Sequence, residues 1–509
     1  MTTSVSSTDT LTRDALAVLQ PGFTGTTAPD WLLRRVGEGL GAVGVFGRNV
    51  RTPEQLTALT RQLRAEREDL LVAIDEESGD VTRLEVVHGS SFPGNYALGS
   101  VDDVHLTRAV AQELGRRLAE CGVDLNWAPS ADVNANASNP VIGVRSFGAD
   151  PRLVARHTAA YVEGLQASGV AACTKHFPGH GDTAVDSHHA IPRIDVDLDT
   201  FHARELVPFR AAIAAGSQSV MSAHILLPAL DPDRPGTVSP TILTGLLREE
   251  MGYEGLIVTD GIEMEAISKT YGLEQGTVLA IAAGCDAICV GGGLCDEEPV
   301  LRLRDALVGA VRSGELPEER LADAAARVRA LTSWTRRARG VVPEPGAEVQ
   351  EGTAPGTGVS SDIGLVAARR AVRVTGSGDR LTEAAYVATF NPVANIAVGG
   401  ETPWGIAAGL AALLPGTEAD TFTAESDDAA AAALAAAGER RIVAVVRDEH
   451  RHAWMRQALD ALLVARPDTI VVEMGLPQSE PRGALYAATH GAARVCGEAA
   501  VEAITDVKS

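Results

Sequence analysis

LTRAVAQELGRRLAECGVDLNWAP, residues 106–129, carries the pattern from which the fold is read. Leu106, Val110, Leu114 and Leu118 recur at helical spacing, Gly122 closes the helix, and VDLNWAP follows as a short β-rich run. The same phrase returns twice downstream. A helix around Leu153, Tyr161 and Leu165 stops at Gly169 before VAACTKH, and one around Leu206, Phe209 and Ile213 stops at Gly216 before SVMSAHI. GLIVTDG and CDAICVGGG continue the series, and AVGVFGRNV and LLVAIDEES precede it, so about seven β runs alternate with helices between residues 35 and 295. That alternation predicts a parallel α/β sheet of the (β/α)8 TIM-type barrel kind, with an open doubly wound sheet as the alternative. The barrel is favoured because Asp75, Asn126, Lys175, His176, His224 and Asp260 all fall at or beside the C-terminal ends of different β runs. In a barrel those ends converge on one face.

A chain of 509 residues exceeds what one hydrophobic core organises, and the text changes character once. Residues 336–362 include VVPEPGAEVQEGTAPGTGVSSD, rich in Pro, Gly, Ser and Glu without hydrophobic period, and read as a linker. The expected organisation is a catalytic barrel over residues 1–335, that linker, and a smaller C-terminal α/β sandwich domain over residues 363–509. In the latter, RRIVAVVRDEH and DTIVVEMGLP read as buried strands between Ala-rich helices. Asp448, Glu449 and His450 look like an ordinary strand-to-loop exit.

Composition excludes several classes. A net charge of −23, with no Lys/Arg-rich run, repels phosphate backbones and anionic lipid surfaces, so neither a nucleic-acid nor a membrane partner is expected. The six cysteines are scattered without metal-ligand spacing, which disfavours a zinc site or a disulfide framework. The N-terminal residues lack a basic stretch followed by an apolar one long enough for export, and no window approaches a membrane span, so a cytoplasmic location is expected.

The richest chemistry lies in KHFPGHGDTAVDSHHAIP, residues 175–192. Breakers and polar groups mark a loop leaving a strand end, and in an extended loop Asp186 and His188 present both side chains on one face. There a carboxylate orients an imidazole and raises its basicity. The plainer reading is a structural loop in which His188 caps a backbone carbonyl. Lys175 is one of only three lysines, with Lys269 and Lys508, in a chain that otherwise takes its positive charge from arginine. A compact ammonium suits sugar hydroxyls; the competing reading is a lysine ion-paired at a strand end. In GLIVTDGIEMEAI, Asp260 ends an apolar strand, where an ionised carboxylate can attack an electron-poor carbon or merely cap the next helix. Asp75 with Arg83, and Arg145 in NPVIGVRSFGADP, read on their own as surface salt bridges.

Together these segments resemble the family 3 glycoside hydrolases, in particular the two-domain branch of bacterial β-N-acetylglucosaminidases called NagZ-type. The match runs from about Gly37 to Gly292, and KHFPGHGDT…DSH is the string most specific to that branch. The resemblance implies Asp260 as nucleophile, His188 as proton donor and later base, and Asp186 as its partner, with Asp75, Arg83, Arg145, Lys175 and His176 binding the terminal sugar. It implies a retaining hydrolase of terminal β-linked GlcNAc from cell-wall (peptidoglycan recycling) or chitin-derived saccharides, with no metal or organic cofactor. Two other readings stand beside it: a phosphorylase, because a neutral histidine base admits phosphate, and a non-catalytic sugar-binding protein. The chain departs from the family where many relatives read Asp-x-Glu-Gly-Gly-Arg and it reads Asp75-Glu76-Glu77-Ser78-Gly79-Asp80.

Overall fold

The computed structural model describes residues 7–183, 191–340, 362–393 and 397–505. Two compact units emerge. The first comprises residues 1–76, 107–140 and 149–359; the second comprises 77–106, 141–148 and 360–509.

The first unit contains eight short strands: β1 (Leu19–Pro21), β2 (Ala42–Val45), β3 (Leu71–Ile74), β4 (Leu125–Asn126), β5 (Ala171–Phe177), β6 (Ser219–Ser222), β7 (Leu256–Thr259) and β8 (Ile288–Val290). β2 to β7 form a six-stranded sheet in chain order, every pair parallel, and β1 pairs with β8, also parallel. The alternation of helix and strand produces this directly, since parallel neighbours need a crossover and the amphipathic helices supply it. Seven strands coincide with the expected β runs. The eighth, β1, was hidden: LQP follows the helix Ser7–Ala17 with no turn signal, and its partner lies at residues 288–290.

Side chains alternate across these strands. Leu71, Ala73, Leu125, Ala171, Cys173, Leu256, Val258, Ala287 and Cys289 belong to one buried cluster that also takes in Trp127 and Met221. The intervening Val72, Ile74, Ala172, Ile257 and Ile288 are fully buried too. Burial on both faces explains why the β runs read as continuous apolar text. Each such Val, Leu or Ile contributes roughly 1.5–3 kcal/mol. The linking helices end as their glycines predict, with Gly122, Gly169 and Gly216 all at positive φ just past Glu120, Gln166 and Ala214. The helix Glu318–Ala338 runs three residues into the stretch read as linker; residues 341–361 lie outside the described residues.

The second unit carries a six-stranded sheet of β9 (Arg373–Gly376), β10 (Tyr386–Phe390), β11 (Glu418–Phe422), β12 (Ile442–Val446), β13 (Ile470–Glu473) and β14 (Leu485–Ala488), in the order β11-β10-β12-β13-β14-β9. Only β9 runs antiparallel, along one edge. Hydrophobic clusters cover both faces, one around Val443, Val445, Ile470 and Val472, the other around Ala444, Val446, Val471 and Met455. Among the described residues no helix is long and apolar enough to cross a membrane. All six cysteines are free thiols.

Candidate functional site

In a parallel sheet every strand points its C-terminal end to the same edge, where binding groups collect. Asp75 follows β3, Asn126 closes β4, Lys175 and His176 lie in the last three residues of β5, His224 stands two past β6, and Asp260 follows β7. The side chain of Asn126 fastens the turn beside Asp75, donating to the Glu76 carbonyl (2.7 Å) and accepting from the Glu76 amide (3.0 Å).

Lys175 Nζ donates to Asp75 Oδ1 at 2.5 Å, with side-chain exposures of 3% and 18%. The strand-end ion pair that competed with sugar binding is thus present. A buried ammonium needs such a partner, because an unpaired charge there is very costly. Asp75 thus pairs across the sheet with Lys175. These charges and Asp260 bear together on buried thiols of the sheet. Burial pushes the Cys173 thiol up to about 12, against a downward pull from a hydrogen bond to Ser219 and from Lys175, while Asp75 and Asp260 add to the rise. The thiol of Cys289 is raised by burial and then by Glu263, Asp260 and Asp75.

Asp132 was not anticipated. It sits in APSADVN beyond β4, fully buried, where its Oδ2 accepts from His176 Nδ1 (2.7 Å) and Ser130 Oγ (2.9 Å). Its Oδ1 accepts from the backbone amides of His180 (2.7 Å) and His176 (3.2 Å). Burial alone would raise this carboxyl, but the charge and hydrogen bond of His176 outweigh it and hold the group well below the usual carboxylate range. A permanently ionised Asp132 keeps the proton of His176 on Nδ1. The signal that could have found it is a carboxylate a few residues beyond a strand end, in APSADVN.

Asp132 also begins the anchoring of the loop that leaves β5. Asn139 Nδ2 donates to the His180 carbonyl (2.8 Å), Thr183 Oγ1 meets His180 Nδ1 (2.8 Å), and Arg204 binds Asp182 Oδ2 (2.6 Å). Gly181 is required by close approach, since a Cβ there would stand 1.7 Å from the Val133 carbonyl oxygen. Burial and then His176 lower His180 to about 4 against the opposing pull of Asp132, so His180 is a neutral structural ring. On the far side, Leu226 donates to the Pro192 carbonyl (2.9 Å) and Ile194 to the Leu226 carbonyl (3.0 Å). Asp186 and His188 themselves, with residues 184–190, lie outside the described residues.

Asp260 extends the sheet by one rung, its amide donating to the Ser222 carbonyl (3.0 Å), and its Oδ1 accepts from the Gly261 amide (2.8 Å). It does not cap the next helix, which starts at Glu265 behind Met264. Arg83 and Arg145 belong to the second unit. Arg83 donates to the Ala397 carbonyl (2.6 Å). Arg145 is no surface salt bridge: it grips Glu77 with two bonds of 2.6 and 2.9 Å, both side chains buried.

A parallel α/β sheet whose C-terminal edge gathers carboxylates, a lysine and histidines has the arrangement of an α/β enzyme site. Residues 29–331 match the glycosyl hydrolase family 3 N terminal domain, and the chain belongs to glycosyl hydrolase family 3. The beta-hexosaminidase A of Pseudoalteromonas piscicida is 36% identical over 317 residues, 57% of this chain and 53% of that protein, so the match spans about half the length of this relative. The beta-hexosaminidase of Alkalilimnicola ehrlichii is 35% identical over 326 residues, 61% of this chain and 92% of its own. Over nearly the whole chain, a family 3 beta-N-acetylglucosaminidase from Paenibacillus sp. str. FPU-7 superimposes with a TM-score of 0.84 at 32% identity, covering 98% of this chain and 97% of that one.

Proposed function

We propose that the protein is a retaining exo-β-N-acetylglucosaminidase that removes terminal β-linked GlcNAc from cell-wall or chitin-derived saccharides. The observation that carries the reading is that Asp260 and the Lys175–Asp75 ion pair stand at the C-terminal ends of parallel strands of one sheet, and so at one edge of it. The beta-hexosaminidase relatives and the Paenibacillus structure support the choice of sugar. In the first step the Asp260 carboxylate attacks the anomeric carbon while protonated His188 gives its proton to the departing oxygen, and the glycosidic bond breaks. In the second, neutral His188 takes a proton from water, whose oxygen displaces Asp260. Asp186 orients the His188 ring. Lys175, Asp75 and His176 hold sugar hydroxyls, with Arg83 and Arg145 as further sugar ligands tested by their effect on KM. We further read the eight strands as a closed (β/α)8 barrel, supported by the Val258–Ala287 bridge beside β8 and the bond from the Gly41 amide to the Leu16 carbonyl.

The test is a panel of aryl β-glycosides assayed with and without phosphate, together with mass mapping of the adduct left by a fluorinated slow substrate. Hydrolysis of the β-GlcNAc member with retention, no sugar phosphate formed, and label on Asp260 are expected. Phosphorolysis, or label on another residue, refutes the proposal.

A further inference from the structure

His224 is fully buried, stands beside the proposed site, and has no part in the steps above. Its Nε2 lies 2.9 Å from the Gly261 carbonyl oxygen and its Nδ1 lies 2.8 Å from Thr237 Oγ1. A carbonyl can only accept, so Nε2 carries the proton. Thr237 is fixed in turn, its hydroxyl 2.8 Å from Ser222 Oγ and its amide bonded to the Ala223 carbonyl (3.2 Å). The ring is therefore a strut between the segment after β6 and the residue that follows Asp260.

What it grips decides its role. The Gly261 carbonyl accepts from both His224 and the Met264 amide (3.0 Å), while the amide of the same peptide unit, on Ile262, donates to the Cys289 carbonyl (3.0 Å). That peptide plane is held at both ends. The preceding one, between Asp260 and Gly261, aims its N–H at Asp260 Oδ1 (2.8 Å). Glycine supplies no side chain of its own to hold either plane. Rotation of the Gly261 carbonyl would turn the adjoining amide away from the carboxylate.

The geometry points to His224 as the positioning residue for Asp260, acting through the Gly261 carbonyl to fix the plane of the attacking carboxylate. This rests on Asp260 being the nucleophile. The assignment predicts a specific division: the step that forms the covalent bond depends on the Nε2–H donor, whereas affinity for the sugar, which is bound by other residues, does not.

The experiment compares His224→Leu with His224→Gln in the full chain, since glutamine can offer an N–H at the place of Nε2. The rate of covalent labelling by a fluorinated slow substrate is measured beside the Kd of GlcNAc. His224→Leu is expected to slow labelling by about 100-fold, the scale of a misplacement of roughly 1 Å. GlcNAc affinity should be unchanged, and His224→Gln should recover most of the rate. Equal losses in the two variants, or loss of GlcNAc affinity in step with labelling, overturn the positioning role. If His224→Leu does not fold, Thr237→Val decides: it frees the far end of the ring and should slow labelling with GlcNAc affinity intact, and an unchanged rate overturns the role. Label on a residue other than Asp260 in the unsubstituted protein refutes the parent reading instead.

Discussion

Glu205→Gln is expected to change how stability depends on pH, in a direction that the surroundings of this one carboxyl dictate. Glu205 is fully buried beneath the loop that leaves β5. Its Oε1 accepts from Arg204 Nε at 2.5 Å, while Oε2 is buried with no hydrogen-bond partner among the described residues, close enough to Gly179 that a Cβ there would come within 2.7 Å of it. Burial raises the group from 4.5 to about 7; Arg204 pulls the other way, and Asp132 and Asp182 push up. Below pH 4.5 both the folded and the unfolded carboxyl hold the proton. As pH rises from 4.5 to about 7 the unfolded chain gives it up first, so the folded state loses stability through that window and the loss levels off above it. At roughly 1.4 kcal/mol per tenfold change in proton affinity, the full loss is about 3 kcal/mol. Glutamine cannot titrate, so relative to the parent its stability should rise by up to about 3 kcal/mol between pH 4.5 and 7, whatever fixed cost the amide carries. Urea melts of both proteins at pH 5, 6, 7 and 8 read the difference, from which all other titrations cancel. A difference that is flat with pH, or that falls as pH rises, refutes the reasoning.

Three further outcomes are expected. His188→Ala should cut turnover of substrates with poor leaving groups by about 10² to 10⁴-fold and spare a dinitrophenyl glycoside in its first step, with a burst; equal losses across leaving groups and no burst would remove His188 from proton transfer. Arg447→Ala strands the buried Asp80 carboxylate and should destabilise the protein by about 3–5 kcal/mol in thermal or urea melts, with part of the loss returned by adding Asp80→Asn; no recovery in the double variant would count against the pairing. Ser78→Gly relieves a left-handed residue (φ 67°) and should stabilise by about 1 kcal/mol, read as a higher Tm, and a lower Tm would show that the serine side chain outweighs the backbone gain.

Much of the fold was legible where burial on both faces left a run of apolar text, although β10 (YVATF) and β14 (LYAA), buried as they are, were not read as strands. LVAI, AACTKHF, LIVT and IVAVV are strands because nearly every residue in them is covered. Other strands were missed for different reasons: β9 and β11 are largely exposed edges reading RVTG and EADTF, and β1, though buried, is only three residues whose partner lies far along the chain. Nothing local tells residues 77–106 and 141–148 to cluster with the C-terminal unit. Their ties are long-range: the helix Asn95–Val101 packs on the helix Ile363–Ala371, the Ala492 amide donates to Asp80 Oδ1 (2.7 Å) and Cys496 Sγ lies on the Pro93 carbonyl (3.7 Å). The site followed the same rule. Lys175, His224 and Asp260 stood out as polar groups at the ends of apolar runs, whereas Asp132 is held by partners that no local spacing reveals.

The departure at residues 78–80 shows how such hidden partners decide what a local change does. Against the family pattern, serine stands for glycine at 78 and aspartate for arginine at 80. Ser78 nonetheless adopts positive φ, and Gly79 packs so closely on Gly94 that a Cβ would come within 2.6 Å of its Cα. The turn is one that glycines favour, held despite the serine. A reversed charge at residue 80 needs an opposite charge to meet it, because burial raises the Asp80 carboxyl and only partners restrain it. Arg447 is that partner, itself lying 5.5 Å from the Trp404 ring, and the Ala492 amide takes the other carboxylate oxygen. The substitution at 80 is therefore legible only together with residues more than 360 positions downstream, and its effect belongs first to the stability of the second unit. Arg145, proposed as a sugar ligand, forms a buried pair with Glu77 in the same unit, so on that proposal sugar preference changes through residue 80 only if this pair moves with the loop. The single variants at Asp80 and Arg447 separate those effects, because a shift in sugar preference at unchanged stability requires that route.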